Sequence, residues 1–374
     1  MIYSPTVGPR RGCWPLTLAA LLLCPHFAAA QTNASQSVRL LTYNIHRDIG
    51  GSDSNTASQA PLAKVVNFLD PDVWTINEVG GNNVRYNAAT AYNDLVTFIS
   101  TDLTVFGTNP QVGRDYYVYF SARSDGYSTS AIVSRYPFLS TQTYSDAGNG
   151  FQALRGLALA EVDLPGATDL GVFTTHMKAS DSSDNDGNAE KRQAEADTDS
   201  SNIRPYITSH SGEGVVVTGD WNESEDPGDK LNWTGHQVGD PLPSNGEAYH
   251  PISTMKSAGL TDPKPVSIKG DSDTISSTSG SPNTRFDYTL YGPGQLNFVS
   301  GQVFDLKQYT AAQLAALNAQ NGTTFTATDT ANASDHLPVL SIFQVTAAPE
   351  PSGSVAIIIG IGVLGLIVIR RPAK

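Results

Sequence analysis

The body of the chain lacks cysteine. The two cysteines, Cys13 and Cys24, both lie within the first 30 residues. Without thiols, residues 31–347 can form neither a disulfide nor a zinc site built on thiolates. The chain also has no His-Glu-x-x-His run, which excludes the helical zinc-protease motif. A body of this length must therefore be stabilised by a large apolar core.

Positive charge is scarce as well. The chain has 23 basic and 36 acidic residues, and its body carries 18 basic against 35 acidic residues, a net charge of −17. Such a body repels polyanions unless a cation or a local basic groove intervenes. The charge balance therefore favours small substrates over nucleic acid without excluding nucleic acid.

The long apolar runs are confined to the two ends of the chain. Residues 1–30 have the pattern of a secretory signal peptide, since Arg10 and Arg11 precede the apolar run 16–23 and three alanines end at Ala30. Signal peptidase would then process the chain, and an uncleaved anchor is the alternative. We therefore expect an exported protein.

A second apolar run, residues 355–369, follows Pro349-Glu350-Pro351 and precedes Arg370-Arg371. A helix of about 15 residues spans roughly 22 Å, which is short but usable as a transmembrane segment. The tail 348–374 resembles the PEP-CTERM sorting signal of Gram-negative bacteria. The resemblance implies cleavage by an exosortase-like enzyme and release to the cell surface or medium. A permanent inner-membrane anchor is the alternative.

The body 31–347 alternates strand and helix patterns and shows no internal repeat, which predicts a single domain of mixed α/β class. Helices are predicted at residues 62–69, 92–103, 189–207 and 311–319. Strands are predicted at residues 38–45, 73–79, 116–120, 130–134, 157–164, 170–176, 215–220, 286–291, 298–304 and 339–345.

Polar residues of catalytic types stand where several of these strands end, and strand ends are where sheet proteins build sites. Glu78 and Asp335, with Asn44 as a neutral neighbour, suit a hard cation. His336 and Asp287 suggest a histidine oriented by a carboxylate, as a general base requires.

Three further side chains complete this predicted site. Asp220 and Asn222 are two residues apart on an extended segment and would face the same side. One could align water while the other binds an oxyanion. His176 offers a cation for a phosphate.

Taken together, these segments resemble the endonuclease/exonuclease/phosphatase superfamily, which has the deoxyribonuclease-I-like fold. The resemblance covers about residues 37–345. The segments that carry it are Thr42-Tyr43-Asn44, Asp72-Val73, Glu78-Val79, Ala131-Ile132-Val133-Ser134-Arg135-Tyr136-Pro137, Arg155-Gly156, Thr175-His176, Gly219-Asp220-Trp221-Asn222, Arg285-Phe286-Asp287-Tyr288 and Ser334-Asp335-His336.

The resemblance implies a four-layer α-β-β-α sandwich of two packed, mainly antiparallel sheets. It also implies a divalent metal, usually Mg²⁺ with Mn²⁺ or Ca²⁺ as alternatives, and in-line attack of water on phosphorus. Glu78 would hold the metal, with Asn44 and Asp335 nearby.

The remaining roles come from the same resemblance. His336 would be the base, oriented by Asp287 or Asp335, and Asp220 would position or deprotonate the water; which of His336 and Asp220 is the base stays open. Asn222 and His176 would bind phosphoryl oxygens, with His176 as a candidate acid for the leaving group. Arg155 would also contact the substrate.

Three functions remain open at this point, and for each we expect a monomer. The first is an exported nuclease or related phosphodiesterase. The second is a phosphatase or a phospholipid or sphingomyelin phosphodiesterase, which the acidic body mildly favours. The third is a non-catalytic surface or matrix protein, against which the full set of polar site residues argues.

Overall fold

A computed structural model describes residues 35–52, 54–81, 83–106, 116–146, 152–179, 185–225, 241–242, 246–275 and 283–346. These residues belong to one compact unit of the chain. Both predicted end segments, 1–30 and 348–374, lie outside the described residues. No helix within the described ranges is long and apolar enough to cross a membrane.

The described residues form two sheets. Sheet A has six strands in the order β10-β11-β1-β2-β4-β3, and sheet B has five in the order β5-β6-β7-β8-β9. The strands are β1 Gln36–Asn44, β2 Val73–Gly80, β3 Tyr117–Phe120, β4 Ser128–Ser134, β5 Phe138–Tyr144, β6 Leu157–Val162, β7 Leu170–His176, β8 Gly214–Asp220, β9 Asp287–Tyr291, β10 Leu296–Val303 and β11 Val339–Val345.

Antiparallel pairing dominates both sheets. Each sheet contains one parallel pair, β1 with β2 in sheet A and β7 with β8 in sheet B, and all other neighbouring strands run antiparallel. The carboxyl ends of the strands in a parallel pair meet at the same edge of the sheet. Each sheet therefore brings two strand ends together.

Helices cover the outer faces. They are α1 Thr56–Leu69, α2 Ala88–Asp102, α3 Asn185–Ser209, α4 Pro251–Lys256, α5 Ala311–Asn321 and α6 Asp329–Ala333. Leu41 and Tyr43 of β1 pack with side chains of α1 and α2. Phe173 of β7 packs with side chains of α3 and α4. The predicted four-layer α-β-β-α sandwich is confirmed.

Alternation along the strands fills the space between the sheets. On β1, Val38 and Leu40 point inward and pack with Val172 and Val216 of sheet B, while Leu41 points outward. This two-residue period is what a strand buried on both faces produces. The inner faces of the two sheets therefore form one apolar layer. Beyond this layer, the inward-facing residues nearer the strand ends are polar.

A line of threonines follows that apolar layer. The Thr42 Oγ1 atom lies 3.0 Å from the Thr289 Oγ1 atom across the two sheets. Thr75 donates to Thr42 over 3.3 Å, and Thr218 donates to Thr75 over 2.9 Å. These buried hydroxyls satisfy one another and fix one sheet against the other. The next inward-facing position on each of these strands belongs to the candidate site.

Some elements differ from the sequence prediction. The strand β5 was not predicted, because it is an edge strand whose middle residues are exposed and polar. The short helices α4 and α6 were also missed, since five or six residues give too little periodicity to detect. Helix α3 begins and ends outside the predicted range 189–207.

Candidate active site

The ends of four strands converge at one edge of the sandwich. Asn44 ends β1, His176 ends β7 and Asp220 ends β8. Asp287 begins β9, which runs antiparallel to β8, so that Asp287 pairs directly with Asp220. The two parallel pairs and this antiparallel neighbour therefore bring residues far apart in sequence to one place.

Asp220 lies at the centre and is buried. Its Oδ2 atom accepts a hydrogen bond from the Asn44 amide over 2.8 Å. The same oxygen lies 3.4 Å from the His176 Nε2 atom and 3.6 Å from the His336 Nε2 atom. Burial raises the pKa of Asp220 to about 7, and the charge of His336 opposes that rise. The carboxyl group can therefore exchange a proton near neutral pH.

His336 is paired with Asp287. The His336 Nδ1 atom lies 2.7 Å from the Asp287 Oδ2 atom, and both side chains are buried. Burial alone would lower the pKa of His336, but the carboxylates of Asp287 and Asp220 outweigh it and hold that pKa well above its usual value. The two carboxylates therefore favour the protonated ring of His336, and of the two predicted orienting residues it is Asp287 that contacts the ring.

His176 behaves in the opposite way. Its ring is buried, and neither ring nitrogen has a hydrogen-bond partner among the described residues. Burial, followed by the positive charges of Arg155 and His336, lowers the pKa of His176 well below its usual value. The Nε2 atom lies 3.8 Å from the Glu78 Oε1 atom. A neutral imidazole with unpaired nitrogens can bind a phosphoryl oxygen or a cation, but it is a poor proton donor to a leaving group.

Glu78 occupies an irregular position in β2. Its φ angle is 61°, and the β2–β4 register shifts between Ile76 and Val79. Such a bulge re-aims a side chain, here toward the inner edge of the sheet. The Asn44 amide donates to the Glu78 Oε1 atom over 3.2 Å, and the Arg47 Nε atom lies 3.3 Å from the Oε2 atom.

Asp335 lies further out than the other predicted metal ligands. Its side chain is 48% exposed, and its Oδ2 atom lies 3.8 Å from the Nε2 atom of His46. One ligand atom each from Glu78, His176 and Asp220 lies within 4.8 Å of the others, and Asp335 is in no such group among the described residues. The acidic centre of the site is therefore formed by Glu78 and Asp220.

Asn222 and Arg155 both hold the end of β7. The Asn222 Nδ2 atom donates to the Met177 carbonyl over 3.1 Å. Arg155 donates to the carbonyls of His176 and Met177 over 3.2 and 3.1 Å, and its Nε and Nη2 atoms contact Asp125 over 3.0 and 2.7 Å. The Arg155 guanidinium thus contacts protein groups at the end of β7, and its predicted contact with a substrate stays a prediction.

Helix α3 completes this support. The buried Glu195 accepts hydrogen bonds from the backbone amides of Lys178 over 2.6 Å and Leu154 over 3.3 Å. Arg192, also buried, donates to the Lys178 carbonyl over 3.1 Å. We call residues 176–178 the clamped segment, because buried charged side chains hold its backbone from several directions. The sequence analysis missed this, since polar residues in a helix usually mark its solvent face.

Two more supporting residues escaped the sequence analysis. Asn77 donates to the Ser130 hydroxyl over 2.9 Å, and its Oδ1 atom accepts from the Asp220 backbone amide over 2.9 Å, which joins the two sheets. The Thr274 hydroxyl oxygen accepts from the backbone amides of Phe286 and Asp287, each over 3.0 Å. The position of Asn77, one residue before Glu78 and facing inward like Asn44, was the available signal.

The donor set fits a divalent cation. Glu78 and Asp220 supply carboxylate oxygens, and the buried His176 ring has two unpaired nitrogens. Asn44 faces both carboxylates with its amide nitrogen, while its Oδ1 atom accepts a hydrogen bond from the His46 backbone amide over 2.9 Å. Hard oxygen donors suit Mg²⁺, Mn²⁺ or Ca²⁺, and an added imidazole also suits transition metals. The residues therefore fit the predicted metal without deciding its identity.

Comparison with known proteins agrees with this architecture. The sequence profile of the Endonuclease/Exonuclease/phosphatase family matches residues 41–336. No curated protein matches the chain. An endonuclease/exonuclease/phosphatase from Beutenbergia cavernae DSM 12333 is similar in structure, with 19% identity, a TM-score of 0.50, and coverage of 84% of this chain and 73% of its own.

Two other solved structures are also similar. One is truncated TDP2 from Caenorhabditis elegans, with 16% identity, a TM-score of 0.49, and coverage of 82% of this chain and 97% of its own. The other is an endonuclease/exonuclease/phosphatase from Bacteroides vulgatus, with 15% identity, a TM-score of 0.49, and coverage of 83% and 99%. At 19% identity, the likeness to the Beutenbergia cavernae protein concerns the fold alone.

Proposed function

The chain belongs to the Endonuclease/Exonuclease/phosphatase family, and on that premise we propose that it is an exported, metal-dependent hydrolase of phosphodiester bonds with a nuclease-like substrate. The observation that carries the proposal is the meeting of Asn44, His176 and His336 around the buried carboxyl group of Asp220. At this edge of the sandwich, the neutral ring of His176 and the protonated ring of His336 flank the Asp220 carboxyl group, which titrates near neutral pH. This is the set that hydrolysis of a charged ester requires.

Glu78 would hold the metal, with Asn44 and Asp220 beside it. A bound divalent ion would neutralise charge on the phosphoryl oxygens and orient the ester. Among the residues of the chain, Asn44 links the two carboxylates through its amide, over 3.2 Å to Glu78 and 2.8 Å to Asp220. Asn44 therefore sets the spacing between the metal-holding side and the proton-accepting side.

Asp220 is the better general base of the two candidates. Its pKa of about 7, raised by burial, suits acceptance of a proton from water near neutral pH. The carboxylates of Asp287 and Asp220 favour the protonated form of His336, which makes its ring less suited to accept that proton. We therefore assign His336 to binding a phosphoryl oxygen as a cation, with neutral His176 as a second oxygen-binding group.

The reaction then balances simply. Water attacks phosphorus, the new P–O bond forms as the ester P–O bond breaks, and the water proton passes to the carboxylate of Asp220. The departing alkoxide takes a proton from solvent or from a neighbouring acid. The residues of the chain supply positioning and charge, which carry most of the catalysis in phosphoryl transfer.

The rim beside Glu78 favours nucleic acid over small esters. Arg47 lies against both Glu78 and the ring of Tyr127, with its guanidinium 5.9 Å from the ring centroid. The exposed Arg85 lies 5.4 Å from the same centroid, and Tyr127 is 38% exposed. Cations and an exposed aromatic face together form the kind of surface that binds a single-stranded backbone and its bases. This local positive rim offsets the acidic body.

The test uses matched substrates. Single-stranded DNA, RNA, sphingomyelin and bis(p-nitrophenyl) phosphate are incubated with the full chain and Mg²⁺ or Mn²⁺. We expect hydrolysis of nucleic acid and of the nitrophenyl diester, its loss in chelator, and its return when metal is added. Full activity in chelator would remove the metal assignment, and cleavage of sphingomyelin alone would move the substrate to lipid phosphodiesters.

Export and sorting belong to the same proposal and rest on the sequence of residues 1–30 and 348–374. We expect the mature protein to end near Pro349-Glu350-Pro351 and to be released from the inner membrane. Intact-mass measurement of the surface and medium fractions tests this. A mature form that still carries residues 355–369 would indicate a permanent anchor.

A further inference from the structure

A second cluster of possible metal ligands lies at the opposite end of sheet B. Glu161 on β6, His210 just after α3 and Glu213 just before β8 each bring one ligand atom to within 4.8 Å of the others. Glu161 pairs with Gly171 near the start of β7, whereas His176 ends that strand. Five residues of a strand span about 16 Å, so this cluster is separate from the candidate active site.

The hydrogen bonds of His210 leave one ring nitrogen with a lone pair. Its Nδ1 atom lies 3.0 Å from the Tyr206 backbone carbonyl and 2.9 Å from the Ser209 hydroxyl. A carbonyl oxygen can only accept, so Nδ1 carries the proton and Nε2 is the free acceptor. Metal-binding histidines commonly donate their second N–H to a carbonyl in this way.

The ring of His210 is also fixed in orientation. It stacks on the ring of Tyr206, with centroids 3.9 Å apart and an angle of 13° between the planes. The helix end and the stack therefore hold the imidazole in place before any ligand binds. Preorganisation of this kind lowers the entropic cost of binding.

The carboxylates of Glu161 and Glu213 have oxygen lone pairs available to bind a ligand. The Glu213 Oε2 atom is buried without a hydrogen-bond partner among the described residues. Glu161 accepts from the Ser140 hydroxyl over 2.8 Å through its Oε2 atom, which leaves the lone pairs of Oε1. Asp163 and Asp169 lie close enough to add negative charge, since burial together with Asp163 and Glu161 raises the pKa of Asp169.

A buried hydroxyl also points into the cluster. Tyr206 is 7% exposed, and its hydroxyl makes no hydrogen bond within 3.5 Å in the part of the chain described, although it lies near the Glu213 carboxylate and stabilises its ionised form. A Cβ atom at Gly171 would lie 2.8 Å from that hydroxyl, which places the oxygen over the strand position paired with Glu161. After burial, the charges of Glu161 and Glu213 are the largest causes that raise the pKa of Tyr206, as expected for a hydroxyl close to both carboxylates.

We propose that Glu161, His210 and Glu213 form a structural site for a divalent first-row transition metal, with Zn²⁺ as the best fit. One imidazole nitrogen and two carboxylate oxygens, completed by water, match zinc and suit Mg²⁺ poorly. The bound ion would join β6, the end of α3 and the turn into β8, and the Tyr206 hydroxyl would hold a ligand carboxylate or the metal-bound water. The proposal does not depend on the reaction assigned to the other end of the molecule.

The test counts zinc in matched variants of the full chain. The candidate active site can bind zinc as well, so the measurements are made in a Glu78→Gln background. Equilibrium dialysis against buffered Zn²⁺ should show one bound ion per chain in this background, with a higher Tm in zinc than in chelator. Adding His210→Ala should weaken that binding at least about a hundredfold and remove the Tm increase.

Two controls separate ligand loss from misfolding. The half-buried His250 lies outside the cluster, and His250→Ala should leave zinc binding unchanged. Glu161→Gln keeps the size and the hydrogen bonding of a half-exposed side chain and should still weaken zinc binding at least about tenfold, the scale seen even for residues that only support a ligand. No bound zinc in the Glu78→Gln background, or zinc binding that survives both His210→Ala and Glu161→Gln, would overturn the proposal.

Discussion

Sheet A and sheet B each bring one parallel strand pair to the candidate active site, and the two pairs end differently. On the sheet A side, His46, Arg47 and Glu78 have φ angles of 49°, 59° and 61°. On the sheet B side, the clamped segment is held by the buried charged groups of Arg155, Arg192 and Glu195.

The difference separates two tasks. Positive φ at a residue other than glycine costs about 1–3 kcal/mol and persists mainly at functional sites. Three such residues lie on the sheet A side, at the edge of solvent, and one, Asn222 with a φ angle of 52°, follows β8 on the sheet B side. The sheet A side carries Glu78 and the rim of Arg47 and Tyr127. The sheet B side carries buried, preorganised His176 and Asp220. We infer that the sheet A side binds the metal and the part of the substrate that extends beyond the reacting phosphate. The sheet B side binds the reacting phosphate itself.

The largest effect should follow from removing Asp220 or His336 at the centre of the site. Asp220→Asn should lower kcat by about a hundredfold or more, the scale of losing a general base, and so should His336→Ala. Because both residues act on the same phosphate and water, the double variant should lose less than the product of the two single losses. Steady-state kinetics on bis(p-nitrophenyl) phosphate measures this.

Circular dichroism and thermal melts provide the control for these variants. The threonine line and the core lie below the site and should keep the fold intact. Near-normal turnover in a folded Asp220→Asn protein would eliminate that residue as the base.

A smaller loss should follow from loosening the clamped segment. Glu195→Ala removes both acceptors for the Lys178 and Leu154 amides, whereas Glu195→Gln keeps one. We expect kcat to fall about tenfold in the alanine variant and less in the glutamine variant, with KM unchanged, because misplacing a catalytic group by a fraction of an ångström slows the chemical step.

The matched control for this variant is the half-buried Glu190 of the same helix. Glu190→Gln should leave kcat unchanged. If KM rather than kcat responds to Glu195→Ala, the clamped segment serves binding and not the chemical step.

The sheet A rim should separate substrates. Tyr127→Ala should lower kcat/KM for a single-stranded oligonucleotide about fivefold or more, since stacking of one base on an aromatic ring is worth about 1–3 kcal/mol. The same change should affect bis(p-nitrophenyl) phosphate less, because that substrate has no polynucleotide backbone or neighbouring bases to lie along the rim. Tyr92 is 48% exposed and packs near Phe120, so Tyr92→Ala is the matched control. Equal losses on both substrates would contradict a role for Tyr127 in nucleic-acid binding.

The smallest effect concerns stability and pH on the sheet B side. Asp199 of α3 is buried, and burial raises its pKa to about 8, with the nearby Thr175 hydroxyl opposing the rise and the negative charge of Glu195 adding to it. In the unfolded chain the carboxyl titrates near about 3.9. The folded state therefore keeps a proton that the unfolded state loses, and stability falls as pH rises between these values.

Asp199→Asn removes this proton linkage. As the pH increases from 5 to 9, the Tm of the variant should rise relative to the Tm of the unmodified chain. The difference between the two Tm values should level off above pH 8. Asp102 is exposed at the end of α2, so Asp102→Asn should show no such trend. A Tm difference that is the same at every pH would argue against a raised pKa at Asp199.

Much of the fold could be predicted, because the sequence of each buried strand alternates between residues that face inward and residues that face outward. Val38, Leu40, Thr42 and Asn44 form one inward face, and the same order of apolar residue, threonine and polar residue recurs on β8 through Val216, Thr218 and Asp220. The strand β5 gave no such signal, because its middle residues are exposed and only its end residues, Phe138 and Tyr144, pack against the core.

The site was less predictable, because contacts between sheets are not encoded by spacing. The sequence identified Glu78, His176, Asp220 and His336 as candidate site residues. It did not show which of these side chains contact one another. Asp335 stood next to His336 in sequence and yet faces solvent. Arg155 looked like a substrate contact, and its hydrogen bonds to Asp125 and the clamped segment became apparent only in three dimensions.

The line of threonines between the sheets has a consequence for how such a protein could diversify. Hydroxyl pairs such as Thr42 with Thr289 lock the alignment of the two sheets one layer below the reacting groups. The loops that carry Arg85 and Tyr127 lie above that layer and are not part of it. Loop residues can therefore be exchanged to recognise a different ester while the chemistry beneath keeps its geometry. Libraries of variants that change only the rim residues should therefore yield proteins with new substrate selectivities and no loss of turnover.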